Sequence, residues 1–263
     1  MRRALPWAPL AALVLAQIGY PLTDGAARAR LTVACVLLGF AASVSHAALT
    51  RGWRAAGLLV AVTTGGGLAV EVVGVATGLP FGGYAYGGAL GAQLGGVPLV
   101  IPLAWTWMAW PAWLAAVRLA DSVPARVLLG AVGLAAWDLF LDPQMVAEGY
   151  WRWRDPSPAL PGVPTVPVGN YLGWLLVALA MMAALAAAGR RTWRPEPDDG
   201  PMYALYLWTY ASSLLAHAAL LGLPASALWG GLGMAPVALP LAARLWAGRR
   251  GRRAPGAAGA GRR

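Results

Sequence analysis

The residues best suited to chemistry in this chain are three acidic side chains inside long apolar runs. Asp138 and Asp142 lie one helical turn apart in the stretch WDLFLDPQM, and Glu71 ends the stretch TTGGGLAVE. A carboxylate at the centre of a bilayer costs roughly 3 kcal/mol, so each of the three needs a polar environment. Two neighbouring carboxyl groups in a low-dielectric pocket do not both ionise readily, and such a pair retains a proton. A carboxylic acid held in this way can protonate an electron-rich double bond.

The other residue types that often do chemistry give weaker signals. The two histidines, His46 and His217, do not have the spacing of a metal site. The single cysteine, Cys35, cannot form a disulfide within the chain. We expect His46 to be a hydrogen-bonded packing residue, and we retain His217 as a candidate substrate contact. No metal or redox cofactor is expected.

The apolar composition indicates that the three acids lie in a membrane protein. Of the 263 residues, 59% are hydrophobic and 11% are charged, whereas an ordinary soluble domain has about 25% charged residues. The apolar residues form long runs, which are typical of membrane-spanning helices because a helix satisfies its backbone hydrogen bonds internally. The chain is therefore predicted to be an all-α, polytopic helix bundle in the cell membrane.

Eight apolar segments are long enough to cross a bilayer core of ~30 Å. They are predicted near residues 5–22, 31–49, 55–76, 98–120, 126–147, 168–188, 202–222 and 225–246. The tight turn LGLPAS between the last two leaves seven crossings as an alternative, and the first segment is alternatively a signal peptide with ARA as its cleavage site. Residues 1–248 form one transmembrane domain, and residues 249–263, rich in Arg, Gly and Ala, are expected to be a disordered cytoplasmic tail.

Arginine placement orients the predicted bundle. With both termini in the cytoplasm, sixteen of the twenty arginines lie on the cytoplasmic side and four lie outside, in agreement with the positive-inside rule. The four outside are Arg28, Arg30, Arg152 and Arg154. Because the net charge of +10 comes from arginines at helix ends, with no lysine in the chain, the basic excess is a topology signal and nucleic-acid binding is not expected.

The predicted topology brings the three acids together under two unusual loops. Glu71 and Asp142 lie about 7 Å below the outer ends of their helices, and Asp138 lies one turn deeper. Residues 77–98 are uncharged and rich in glycine and aromatic residues, so this loop is predicted to fold back over the outer mouth as a lid. Residues 148–170 form the second outer loop and supply further aromatic side chains.

Two helical patterns near the acids each have two interpretations. Gly67 and Gly74 share a helix face with Glu71, which predicts either a close-packed face with a buried acid or part of a site. Trp107, Trp110 and Trp113 recur at every third residue. This ridge lines either a channel for a long apolar ligand or the lipid surface.

Four sequence blocks resemble the integral-membrane carotenoid biosynthesis family. They are GLPFGGYAYGGALG (78–91), GVPLVIPLAWTWMAWPAW (96–113), AWDLFLDPQMVAEGYWRW (136–153) and VPVGNYLGWLL (166–176). The resemblance covers about residues 55–190 and includes the acids. Characterised members include carotenoid 1′,2′-hydratases that act on bisanhydrobacterioruberin, γ-carotene and lycopene-type ends.

The resemblance implies hydration of the terminal C1′=C2′ double bond of an acyclic carotenoid end group. An acid protonates C2′ and water captures the tertiary cation at C1′, so no cofactor is needed. We expect Asp142 or Asp138 to supply the proton, with the other aspartate and Glu71 positioning the water and taking its proton. Aromatic faces can stabilise the cation. The candidate substrate contacts are Phe81, Tyr84, Tyr86, Trp110, Trp137, Trp151, Asn170 and His217.

The partners implied by the resemblance follow from this reaction. They are an acyclic-ended carotenoid of the γ-carotene, lycopene or bisanhydrobacterioruberin type, water, the lipid bilayer and other enzymes of carotenoid synthesis.

Three other functions use part of the same pattern. The D-x-x-x-D spacing also occurs in membrane prenyltransferases, but these need a second acidic motif and basic residues for diphosphate, which these segments lack. A carotenoid cyclase or isomerase would form the same cation with water excluded. A carotenoid- or lipid-binding protein or a transporter can also hold buried acids. Product mass separates hydration, which adds one water, from cyclisation, which adds nothing.

Overall fold

The computed structural model describes residues 5–189 and 194–253, and it is a bundle of helical rods. The rods are α1 (Trp7–Gly19) with a 3₁₀ turn (Tyr20–Leu22), α2 (Gly25–Arg51), α3 (Trp53–Val60) joined by a π-helical turn (Ala61–Gly65) to α4 (Gly66–Thr77), α5 (Ile101–Leu119), α6 (Val123–Ala135) followed by α7 (Asp138–Ala147), α8 (Val168–Ala188), α9 (Gly200–Ala219) and α10 (Pro224–Arg253). A short 3₁₀ helix (Pro197–Asp199) precedes α9. The all-α prediction is confirmed.

Five helices are long and apolar enough to cross a membrane by length and composition. They are Gly25–Arg51, Trp53–Thr77, Val123–Ala147, Val168–Ala188 and Pro224–Gly248. The apolar helix Trp7–Leu22 is shorter. The chain is thus a membrane protein, whereas eight crossings and cytoplasmic termini stay predictions.

The end of α10 differs from the sequence-based expectation. The helix continues through Arg253, so residues 249–253, assigned to a disordered tail, are helical. Residues 254–263 of that tail, and the arginines at positions 2, 3, 190 and 191, lie outside the described residues.

Helix α5 forms the centre of the bundle. Every residue from Ala104 to Val117 is buried, and α2, α6 and α9 pack against it. A helix that is apolar on all sides is stable inside a protein core or in a membrane, and here neighbouring helices cover it. This arrangement fixes the tryptophan-rich helix from which part of the site is built.

Two prolines interrupt helix hydrogen bonding, and serines on other helices compensate. Pro111 in α5 has no N–H for the carbonyl of Trp107, and Ser43 of α2 donates to that carbonyl at 2.9 Å. Pro143 in α7 likewise leaves the carbonyl of Leu139 free, and Ser226 donates to it at 2.7 Å. Such repair matters in a membrane, because lipid cannot supply the missing donor.

Two long loops form one structure at the same end of the bundle. Strand β1 (Tyr84–Tyr86) pairs antiparallel with β4 (Trp151–Trp153), with Tyr84 opposite Trp153 and Tyr86 opposite Trp151. The short strands β2 (Gln93–Leu94) and β3 (Val97–Pro98) pair within the first loop, and β5 (Ala159–Leu160) and β6 (Val163–Pro167) pair within the second. We call the β1–β4 pair the loop sheet.

A buried ionic cluster closes the opposite end of the bundle. Arg51 at the end of α2 lies 2.8 Å from Asp199, and both side chains are almost fully buried. His46 Nδ1 accepts from Trp110 Nε1 at 3.0 Å, so His46 Nε2 donates to the carbonyl of Asp198 at 3.1 Å. The cluster ties α2 and α5 to the segment that precedes α9.

Candidate active site

A cavity of about 140 Å³ lies against the loop sheet. Its wall contains the carboxyl groups of Glu71 and Asp142, several aromatic rings, and uncharged polar side chains from α1, α2, α7 and α9. The cavity is therefore mostly apolar with a few polar groups, which is the usual character of a small-molecule site.

Glu71 is fixed by three hydrogen-bond donors. Its Oε2 accepts from the hydroxyl groups of Tyr84 at 2.6 Å and Tyr86 at 2.8 Å, and its Oε1 accepts from Trp105 Nε1 at 3.1 Å. Burial and the neighbouring Glu71 raise the pKa of Tyr84 and Tyr86 well above the ordinary phenol range, so both stay protonated and donate. Three donors and no acceptor form an environment that stabilises a negative charge on Glu71.

Two glycines on the Glu71 face make room for these donors. A Cβ atom on Gly67 would lie 2.7 Å from Trp105 Cδ1, and one on Gly74 would lie 2.7 Å from the Tyr84 hydroxyl. Because a side chain at either position would displace a donor, the glycines allow Trp105 and Tyr84 to reach Glu71. The small residues on this face thus allow aromatic side chains to approach the helix closely.

Asp138 and Asp142 form a bridged pair at the start and middle of α7. One nitrogen, Nδ2 of Asn170 on α8, donates to Asp138 Oδ2 at 2.8 Å and also to Asp142 Oδ2. Trp151 Nε1 of the loop sheet donates to Asp142 Oδ1 at 3.0 Å. Asp142 lines the cavity, whereas Asp138 is fully buried behind it. The pair is a site at which two carboxyl groups can share a proton, with Asp142 nearer to a ligand.

Aromatic rings form much of the cavity wall. Trp105 and Trp174 stack with their ring centroids 3.8 Å apart and their planes at 13°. Trp137 lies edge-on to Trp174, and Trp107 lies edge-on to Trp137. These electron-rich faces suit an apolar ligand and a transient cation.

A second polar surface of the cavity carries no formal acid. Ser226 donates its only hydrogen to the Leu139 carbonyl, so it accepts from His217 Nδ1 at 2.9 Å. The other ring nitrogen of His217, Nε2, lies 3.1 Å from the amide oxygen Oε1 of Gln144. Gln144 and His217 both line the cavity together with Tyr20 and Thr32. These side chains can hold water.

The structure brings most of the predicted site residues together. Seven of the eight predicted substrate contacts line the cavity, as do two of the three predicted catalytic acids. The seven contacts are Phe81, Tyr84, Tyr86, Trp137, Trp151, Asn170 and His217. Their roles towards a substrate stay predictions.

Trp110 does not line this cavity, so the structure does not bring it together with the other predicted substrate contacts. Its indole lies in the opposite-end cluster with His46. Residues three apart are offset by about 60° around a helix, so the ridge of Trp107, Trp110 and Trp113 cannot keep one direction. Only Trp107 of the three lines the cavity.

Sequence reasoning missed Trp105, Trp174 and Gln144. Trp105 lies in the first turns of α5 and Trp174 in the second turn of α8, and both helices start at the loop-sheet end. Each indole is therefore at about the same depth as Glu71. A comparison of the depth of each aromatic residue along its predicted helix with the depth of Glu71 could have identified the two tryptophans.

No group of three or more His, Cys, Asp or Glu side chains within residues 5–189 and 194–253 is arranged to hold a metal ion.

Comparison with known proteins gives one family and one curated relative. A family of sequences described as "Carotenoid biosynthesis protein" matches residues 31–240. The bisanhydrobacterioruberin hydratase of Haloarcula japonica is 37% identical over 102 residues, which are 37% of this chain and 33% of that protein. The alignment thus spans about a third of the length of the hydratase. No solved structure matches the chain.

Proposed function

Because this chain belongs to the carotenoid biosynthesis protein family, we propose that it is a membrane enzyme that adds water across the C1′=C2′ double bond of an acyclic carotenoid end group. The observation that carries the proposal is the cavity in which Asp142 and Glu71 lie among aromatic rings. The similarity to a protein named as a hydratase supports it over a third of that protein's length. Lycopene, γ-carotene and bisanhydrobacterioruberin each have an acyclic end group that could be hydrated in this way. The proposed location of the enzyme is the cell membrane.

The first step is transfer of a proton from the Asp138–Asp142 pair to C2′. Asp142 acts as the acid because it lines the cavity. Two π electrons of the double bond form the new C2′–H bond, which leaves a tertiary cation at C1′ and adds one negative charge to the aspartate pair. Asn170 and Trp151 donate to Asp142 and stabilise that charge.

The second step is capture of the cation by water. A lone pair of the water oxygen forms the bond to C1′, and the proton released from that oxygen passes to Glu71. Exchange of protons with water returns one to the aspartate pair, so the sum is alkene plus water giving a tertiary alcohol. The reaction consumes no reducing equivalents.

The aromatic wall lowers the energy of the intermediate. A cation over an indole or phenol face gains about 2 kcal/mol when it is desolvated. Trp137, Tyr84 and Tyr86 line the cavity together with Glu71 and Asp142. The cation therefore forms between π faces and carboxylates rather than in hydrocarbon.

A cyclase or isomerase would use the same cation, and the uncharged polar surface favours hydration. Gln144, His217, Tyr20 and Thr32 line the same cavity as the acids. A cyclase must exclude water from its cation, and it has no use for such a surface. Carotenoid binding without chemistry would not need the carboxyl groups of Asp142 and Glu71 in contact with the cavity.

The test of this proposal is the product formed from lycopene in membranes that contain the protein. We expect a product one water heavier, with its oxygen derived from ¹⁸O-labelled water, without added NAD(P)H or molecular oxygen. Membranes with Asp142→Asn serve as the inactive control.

A product of unchanged mass would indicate a cyclase or isomerase. Oxygen derived from O₂ would exclude hydration. Lycopene that is bound but unchanged would indicate a binding protein.

A further inference from the structure

The site cavity has a neighbour between α1 and α9. A second cavity of about 290 Å³ lies there, and Gln17, Pro21, Ser212 and Ala216 line both spaces. The two cavities are therefore neighbours with a common wall.

The outer end of this second cavity is apolar. Ile18, Leu215 and Leu220 line it and are 53%, 63% and 57% exposed. Large exposed aliphatic side chains on the outside of a membrane bundle face lipid. The second cavity thus lies next to the space around the acids and carries exposed aliphatic side chains that suit hydrocarbon.

The size of the site cavity requires such an opening. Pockets that enclose drug-sized ligands are about 300–1,000 Å³, whereas the cavity at the acids has about 140 Å³. A carotenoid such as lycopene is a stiff chain of eight isoprene units that is about as long as a bilayer is thick. Only its end group can occupy the site cavity, and the rest of the chain must leave through an apolar opening.

We propose that α1 and α9 form a lateral portal in which the polyene chain of the substrate lies while its end group reaches Asp142. This inference rests on the proposed function, because it takes an end-group reaction as given. One hydrogen bond crosses the portal: Trp208 Nε1 of α9 donates to Gln17 Oε1 of α1 at 2.7 Å. It links the two helices and satisfies the indole N–H of Trp208 and the amide oxygen of Gln17 next to the apolar chain.

The portal is tested by filling it with a bulky side chain away from the acids. Ala211 lines the second cavity but not the site cavity. Ala211→Trp should reduce turnover of lycopene at least about tenfold. It should leave turnover of a ten-carbon acyclic isoprenoid with the same end group unchanged, because that molecule fits at the acids. The matched control is Ala218→Trp, an exposed residue of α9 that lines neither cavity.

A reversible version separates blocking from misfolding. In a Cys35→Ala background, Ala211→Cys is treated with a bulky methanethiosulfonate reagent and then with a reductant. Lycopene turnover should fall on modification and return on reduction. Equal lycopene turnover in modified and unmodified protein would overturn the portal.

Lycopene retained by the purified protein, read from its visible absorption, gives a second readout that needs no chemistry. A wild-type protein that retains lycopene without hydrating it would refute the proposed function. Retention reduced at least about tenfold in Ala211→Trp but not in Ala218→Trp would still support the portal. Equal retention in the two variants would overturn it.

Discussion

The three buried acids have different hydrogen-bond environments, and the difference suggests a division of labour. Glu71 receives three separate donors, which suits a carboxylate that accepts a proton late in a reaction. Asp138 and Asp142 share one amide nitrogen of Asn170, which suits a pair that holds one proton between two oxygens. An acid and a base of similar intrinsic strength are thus distinguished by their partners.

Substitution of the acids tests this division. Asp142→Asn keeps the shape of the side chain but removes the acid that lines the cavity, so we expect turnover to fall by about 100- to 10,000-fold. Glu71→Gln should also reduce turnover. The new side chain cannot accept a proton as a carboxylate does, and its NH₂ group would face the donor of Tyr84, Tyr86 or Trp105. Asp138→Asn should have a smaller effect, because this residue acts through its partner. The measurement is the rate of lycopene hydration per unit of folded protein.

Asp155 provides the control for these variants. It is exposed in the second loop and caps the N–H of Ser157, so Asp155→Asn should leave the rate unchanged. Near-normal rates in all three acid variants would place the chemistry elsewhere and leave WDLFLDPQM as a structural motif.

At the level of the helices, stability depends on cross-helix repair of proline breaks. Ser43 is fully buried and donates to the carbonyl that Pro111 leaves free. Ser43→Ala should lower the thermal unfolding temperature in detergent, since an unsatisfied buried carbonyl costs about 1–3 kcal/mol. In a Pro111→Ala background the new N–H takes over that carbonyl, so the same serine substitution should cost much less. Four proteins compared by thermal unfolding complete this double-mutant cycle.

Ser45→Ala is the matched control on the same helix. Ser45 donates to the carbonyl of Ala42 in its own turn, where the helix already supplies a donor. Equal losses for Ser43→Ala with and without Pro111 would show that the serine stabilises through packing alone.

The helices are also the part of the fold that the sequence predicts best. Apolar runs long enough to cross a membrane become the rods of the bundle, because length and hydropathy are local properties. The direction in which a side chain points is not a local property, because it depends on how the helices pack. Packing of α5 against α2 and α4 places Trp110 at the opposite end from the site and Trp105 at the site.

Pairing between the loops escaped prediction for a related reason. Tyr84 and Trp153 are partners across the loop sheet, yet both strands lie in glycine- or proline-rich loops, and the buried–exposed alternation of β4 covers only Trp151–Trp153, too short a run to predict a strand. The lid expected over residues 77–98 is thus held in place by a second loop, which only the three-dimensional arrangement reveals. Donors to both acid sites come from this sheet.

The whole molecule has two ends with different charge. At the loop-sheet end Arg28 of α2 forms an ion pair with Glu148 after α7. At the other end Arg51 pairs with Asp199, and Arg118 and Arg244 lie close enough for Arg244 to donate to the carbonyl of Arg118. Most arginines within residues 5–189 and 194–253 fall on that second side, which the positive-inside rule predicts to be cytoplasmic.

Cysteine accessibility tests this orientation, which decides the leaflet in which the acids lie. In a Cys35→Ala background, Ala89→Cys places a thiol in the exposed part of the first loop, and Asp121→Cys places one in the exposed turn between α5 and α6. The helix α5 separates the two positions, so they lie at opposite ends of the bundle. A membrane-impermeant maleimide should label the thiol at position 89 on intact cells and the thiol at position 121 only after permeabilisation. The reverse pattern would put the loop sheet, Glu71 and Asp142 on the cytoplasmic side, and a carotenoid end group would then have to be hydrated from that leaflet.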